Sequence, residues 1–128
     1  MNTRIEELMN LYLTDVQNHP EDVFNFRTVH GYKGLIQRNE MYGYYCGYIY
    51  LPENHRDYDK EFNDLGEIKV YGGVTWAENG EIGFDCNHGL IDFKPLGDHI
   101  ILEKTHFMTF EMVKTQLELM SDQFKKRE

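Results

Sequence analysis

Asn79-Gly80 constrains this chain more than any other pair of residues. It separates two strand-like runs, 74–77 and 81–86. Asn and Gly accept the positive φ values of a type I′ turn, so the two runs are expected to pair antiparallel as a hairpin. Alternation along the second run puts Ile82, Phe84 and Cys86 on one side, with His88 beside them if the strand continues. Asp85 and Asn87 then point the other way. The hairpin lies within residues 67–92, which hold the only tryptophan and one of the two cysteines. Asp85, Cys86, Asn87, His88 and Asp92 make this the densest group of chemically capable side chains.

The rest of the chain reads as α+β. Thr3 and Glu6 form a capping box. Ile5, Leu8, Met9, Tyr12, Leu13 and Val16 then recur at three and four, which predicts a packing helix ending near Asn18 and stopped by Pro20. Residues 21–30 are mixed, compatible with one helical turn or an extended link, and the glycines of 29–34 predict a turn. Residues 33–38 read as a first strand. Residues 41–51 are a strong strand by composition, with Tyr42, Tyr44, Cys46, Tyr48 and Tyr50 on one face. Their partners on the other face are Gly43, Tyr45, Gly47, Ile49 and Leu51.

The polar stretch 52–65 carries His55 as a candidate ligand, Arg56 and Lys60 as local cations, and a short helix expected over 57–62. A further strand is expected at 68–71, a loop over 90–99 and a short strand at 100–103. Thr109 is placed to cap a final helix whose Phe110, Val113, Leu117, Met120 and Phe124 share one face. The expected architecture is one domain spanning residues 1–128: an antiparallel sheet of four to five strands with N- and C-terminal helices packed on it.

Composition narrows the partners. At 128 residues, 41% hydrophobic and 27% charged, the chain can bury a core. A formal net charge of −9 argues against a nucleic acid polymer or an anionic membrane as partner. It leaves room for a small phosphorylated ligand, which needs only a local cradle of N–H groups or cations. No apolar run is long enough to span a bilayer, no signal peptide is read, and cysteine is sparse, so a reduced cytoplasmic setting is expected. Nine tyrosines suit a half-wet sheet face or a surface that stacks on an aromatic ligand. A tyrosine face too broad for two helices to cover also points to a homodimer or higher homo-oligomer.

Three chemistries compete at the 67–92 stretch. Gly72 and Gly73 can turn backbone N–H groups towards an anion, with the Thr75 hydroxyl and Trp76 close behind. Cys86 and His88, two apart, would share a face if extended, as a nucleophile and its base require. Zinc could draw on Asp85, Cys86, His88 or Asp92, with Cys46 or His55 from elsewhere, although no CxxC or HExxH spacing is present. The bland reading of the same residues is a buried thiol, a turn-capping histidine and aspartates that bond loop amides.

The elements Cys46-Gly47-Tyr48, Tyr71-Gly72-Gly73-Val74-Thr75 and Gly83-Phe84-Asp85-Cys86-Asn87-His88 with Asp92 resemble a set of small phage and prophage proteins. Their pattern runs CGY, HGGxT, GFDCxHxxD. This chain has Tyr71 where the pattern has histidine, and Gly-Leu-Ile before Asp92 where the others tend to Ala-Gly. The resemblance implies a phage or mobile-element context, in which small accessory proteins sequester or cleave nucleotide immune messengers. The expected function is therefore a sponge for a small nucleotide-derived signal. Tyr44 and Tyr48 would stack the base, Gly72, Gly73 and Thr75 would meet phosphate, Asp85, His88 and Asp92 would fix ribose or base edges, and Trp76 is counted with the ligand-binding residues. The alternatives are a metal-assisted hydrolase or phosphodiesterase using Asp85, Cys86, His88 and Asp92, and a protein-binding inhibitor with no small ligand.

Overall fold

A computed structural model describes residues 3–40, 43–86 and 107–128. In chain order the elements are helix α1 (Thr3–Asn18), strands β1 (Val23–Arg27), β2 (Lys33–Arg38) and β3 (Tyr45–Tyr50), and a 3₁₀ turn at Phe62–Asp64. Strands β4 (Trp76–Glu78) and β5 (Glu81–Asp85) and helix α2 (Phe110–Lys126) follow. The five strands form one antiparallel sheet in the order β1-β2-β3-β5-β4. With helices towards both ends, this is the expected α+β arrangement. Among the described residues, no helix is long and apolar enough to cross a membrane.

The pleat gives the sheet two unlike faces. Ile36, Tyr45, Ile49, Ile82 and Phe84 point inward and are buried against Val113, Leu117, Met120 and Phe124 of α2. Gly47 sits at the centre of this face. A Cβ there would lie 2.8 Å from Phe84 Cε1 and 3.1 Å from Leu117 Cδ2, so glycine lets the helix settle onto the middle strand. Thr109 caps α2 as expected, its Oγ1 accepting the Met112 N–H at 3.3 Å. Asn79 and Gly80 hold φ values of 50° and 81°, the mirror-image turn that the β4–β5 hairpin needs.

Several expectations change. Residues 21–30 contain a strand: β1 alternates Val23, Asn25 and Arg27 outward with Phe24 and Phe26 inward. Residues 68–71 do not form a strand. At Lys69 and Tyr71 the backbone bonds go to side chains of α2 instead. Gln123 accepts the Lys69 N–H and donates to the Lys69 carbonyl, both at 2.7 Å, and Gln116 accepts the Tyr71 N–H at 2.9 Å. The two amides thus satisfy an extended segment as a neighbouring strand would. Residues 57–62 form successive turns, with helical geometry only at the 3₁₀ segment. Strand β3 begins at Tyr45, and Tyr44 belongs to the connection before it, where its carbonyl accepts the Asn39 N–H at 2.7 Å. The loop at 90–99 and the strand at 100–103 lie outside the described residues.

In α1 the buried arc is Leu8, Tyr12 and Asp15, while Met9 and Leu13 are 40% and 58% exposed. The stripe rotates because a polar residue takes a core position. The Asp15 carboxylate accepts the Tyr45 hydroxyl at 2.5 Å and the Phe110 N–H at 3.1 Å. Arg38, also buried, donates to the Tyr45 oxygen at 2.6 Å and to the His19 carbonyl at 2.7 Å. A charged pair joined through a phenol therefore ties α1 to the sheet and to the start of α2.

Candidate functional site

The outer face of the sheet is the candidate site. Strand register lays its side chains in rows. One row crosses from Asn25 through Leu35, Tyr48 and Gly83 to Trp76. The next runs Arg27, Lys33, Tyr50, Glu81, Glu78, and a third holds Val23, Gln37, Cys46 and Asp85. Cys46, Tyr48 and Tyr50 thus share this face, as alternation predicts, and are half-buried. Trp76 is 46% exposed.

Gly83 shapes the middle of the face. A Cβ at this position would lie 2.5 Å from Tyr48 Cδ1 and 2.6 Å from Cε1, so the Tyr48 ring leans onto the glycine towards the strand that carries Trp76. Tyr48 on β3 and Trp76 on β4 thus stand in one row with Gly83 of β5 between them, an aromatic ledge by register. Shallow hollows flank it. One of about 260 Å³ is lined by Tyr50, Trp76, Glu78, Asn79 and Glu81. Another of about 570 Å³ is lined by Asn25, Phe26, Arg27, Lys33, Gly34 and Tyr50. The latter is of ligand-pocket size.

The tyrosines here stay protonated at neutral pH. Burial pushes Tyr48 up to about 12, reinforced by Cys46. Burial also pushes Tyr50 up to about 12, with the Glu81 carboxylate adding to the rise by its charge and its hydrogen bond. Each ring therefore offers a neutral π face and a polar edge.

The sequence-predicted residues divide. Tyr48, Trp76 and Asp85 come to the outer face, and Tyr44 sits half-buried before β3. Gly72 and Gly73 form a turn with φ values of 69° and 82°, leading into an exposed Thr75. Two amides of that turn are already used: Gly73 N–H donates to the Val70 carbonyl and Thr75 N–H to the Gly83 carbonyl, both at 2.9 Å. Asp85 and Cys86 go to opposite faces, Asp85 opposite Cys46 on the outer side and Cys86 into the core at 0% exposure. His88 and Asp92 lie outside the described residues, as does Asn87.

Neither thiol is set up as a nucleophile. Burial raises Cys86 well above the ordinary thiol range, with the nearby Cys46 and Asp85 adding to it. Cys46 rises to about 11, again through burial and then the Asp85 charge, against a hydrogen bond from Tyr48. A thiol held protonated cannot attack. His55 is not available as a ligand: its Nδ1 accepts the Asp57 N–H at 3.0 Å and its Nε2 donates to the Phe124 carbonyl at 2.9 Å. Among the described residues no three His, Cys, Asp or Glu side chains gather to hold a metal, so a zinc site finds no ligand set there.

Sequence reasoning missed Asn25, Arg27 and Lys33 as parts of this face. The signal was present: Val-Phe-Asn-Phe-Arg alternates strictly, and reading it as a strand would have aligned Arg27 with Lys33. Comparison with family models, curated proteins and solved structures finds no match to this chain.

Proposed function

We propose that this chain is a binding module that captures a small nucleotide-derived molecule on the outer sheet face and releases it unchanged. In the phage setting implied by the sequence resemblance, the captured molecule is a host immune signal. The observation that carries the reading is the ledge of Tyr48 and Trp76, which stand in register on β3 and β4 with Gly83 between them and are partly exposed. Stacking a base on an aromatic side chain contributes about 1–3 kcal/mol and tolerates any base. The alternative is a metal-assisted hydrolase using Asp85, Cys86, His88 and Asp92; of these, Cys86 is buried with its thiol pKa raised, which disfavours it as a nucleophile.

The test is capture and release. The protein is incubated with cyclic nucleotides and cyclic ADP-ribose isomers, filtered and heat-denatured, and the released molecules are identified by mass spectrometry. Intact ligand near one per site is expected, lost in Trp76→Ala. Conversion beyond one turnover would replace the sponge with an enzyme. Retention in Trp76→Ala would move the site off the ledge.

A further inference from the structure

Five side chains cross one end of the outer face in register: Arg27, Lys33, Tyr50, Glu81 and Glu78. The charges are sorted, cations on β1 and β2, carboxylates on β5 and β4. Arg27 and Lys33 stand directly opposite one another, an arrangement that destabilises a sheet. The chain has 13 Lys and Arg against 22 Asp and Glu, so carboxylates are plentiful, yet neither cation has an ion-pair partner among the described residues. Tyr50 separates them from Glu81 and engages that carboxylate itself. Arg27 is held in place by donating from Nη1 to the Gly31 carbonyl at 2.9 Å. The two cations and Tyr50 line the hollow of about 570 Å³, whose remaining lining residues, Asn25, Phe26 and Gly34, are uncharged. The adjoining cavity of about 520 Å³ takes the same two cations but also Glu53 and Glu128, the latter paired with Lys125 at 2.8 Å.

We infer that Arg27 and Lys33 form a phosphate subsite and that the ligand of this face is a nucleoside diphosphate or a similar pyrophosphate-bearing nucleotide. This inference rests on the nucleotide reading of the aromatic ledge. Two juxtaposed cations with no ion-paired carboxylate among the described residues are relieved by a dianion, and guanidinium and ammonium both suit phosphate oxygens. Reach decides how long the ligand is. Trp76 on β4 and Lys33 on β2 are three strand spacings apart, roughly 14 Å. A bare nucleoside stacked at Trp76 does not extend to the cations, whereas a diphosphate tail leads across Tyr50 towards them. Glu78 and Glu81 repel phosphate at the Trp76 end and accept hydrogen bonds from the amino edge of a base, which fixes the orientation. The site thereby puts its phosphate contacts on side-chain cations rather than on the Gly72-Gly73 turn.

Calorimetric titration and amide chemical-shift mapping of the full chain with pyrophosphate, adenosine and ADP test this. ADP should bind about tenfold or more tightly than adenosine, with the gain falling as salt rises. Pyrophosphate should move the amides of Gly31, Lys33 and Gly34. Arg27→Gln with Lys33→Gln should erase the ADP advantage and leave adenosine unchanged, and Lys33→Arg should retain it. Trp76→Ala should weaken adenosine and ADP but spare pyrophosphate. If adenosine binds at Trp76 while the double variant holds ADP as well as the wild type, the phosphate subsite is overturned and the ledge stands. If pyrophosphate binds at the cations but Trp76→Ala changes nothing, the subsite stands and the nucleotide reading fails. Silence from all three probes overturns both.

Discussion

The Tyr45 hydroxyl joins two buried charges, receiving from Arg38 and donating to Asp15. Burial, followed by the hydrogen bond to Asp15, raises its pKa, so the phenol stays neutral and keeps its proton for the carboxylate. Removing that one oxygen leaves the carboxylate and the guanidinium without their shared partner. Tyr45→Phe is expected to destabilise the fold by about 1–3 kcal/mol, measured as a lower urea midpoint with an unchanged slope. Gly83→Ala should behave differently. Its methyl group displaces the Tyr48 ring, so the ledge is lost and binding on the outer face falls, and the same shift mapping should show Tyr48 perturbed. Asp15 also marks a limit of sequence reading. Nothing in a 3.6-residue pattern announces an aspartate as a core position, so the expected stripe is right at Leu8, Tyr12 and Val16 but wrongly takes in Met9 and Leu13 in place of Asp15.

At the level of elements, turns and amphipathic repeats were legible and long-range substitutes for them were not. The β4–β5 hairpin and α2 could be read because each is specified by neighbours in sequence: Asn79-Gly80, the Thr109 cap, and apolar residues at three and four. Asn79→Ala should cost about 1–2 kcal/mol, because alanine has no side-chain compensation at φ 50°, and thermal melts would register it. Segment 68–71 reads as a strand because its composition is that of one. Its hydrogen bonds lie with Gln116 and Gln123, more than forty residues away, and no local pattern encodes that. Gln123→Ala is expected to release Lys69 from both bonds. Hydrogen exchange at Lys69 should then quicken by about tenfold, while amides of β3 and β5 keep their protection. The candidate site was half legible for the same reason. Tyr48 and Trp76 could be picked from local alternation, but their alignment through Gly83 and the pairing of Arg27 with Lys33 depend on strand order.

Across the whole molecule, the phenols and thiols set the alkaline limit of stability. Tyr32, Tyr48 and Tyr50 rise to about 12 and Cys46 to about 11, burial being the leading cause in each. Above the ordinary thiol and phenol ranges, near pH 9 and pH 10, the unfolded chain releases these protons while the folded chain keeps them. Stability is therefore full below about pH 9 and is lost as pH climbs from there towards 12. Phenolate absorbance should rise late and cooperatively with loss of near-ultraviolet dichroism, and a smooth titration near pH 10 without unfolding would contradict it. The acid side has a counterpart in Asp57. Burial alone would raise it, but hydrogen bonds from Lys60 and Arg127 outweigh that and hold it below the usual carboxylate range. Its stabilisation is present at neutral pH and is lost as pH falls through that lowered value.

Gly47 admits α2 onto the centre of the sheet, and Phe124 at the far end of that helix is wholly buried. During synthesis the strands leave the ribosome first, and their greasy side stays wet until the segment that shields it has been made. A pause or premature stop before Phe124 is added would therefore release a half-built sheet with an open apolar flank, the kind of nascent product that chaperones hold and proteases clear.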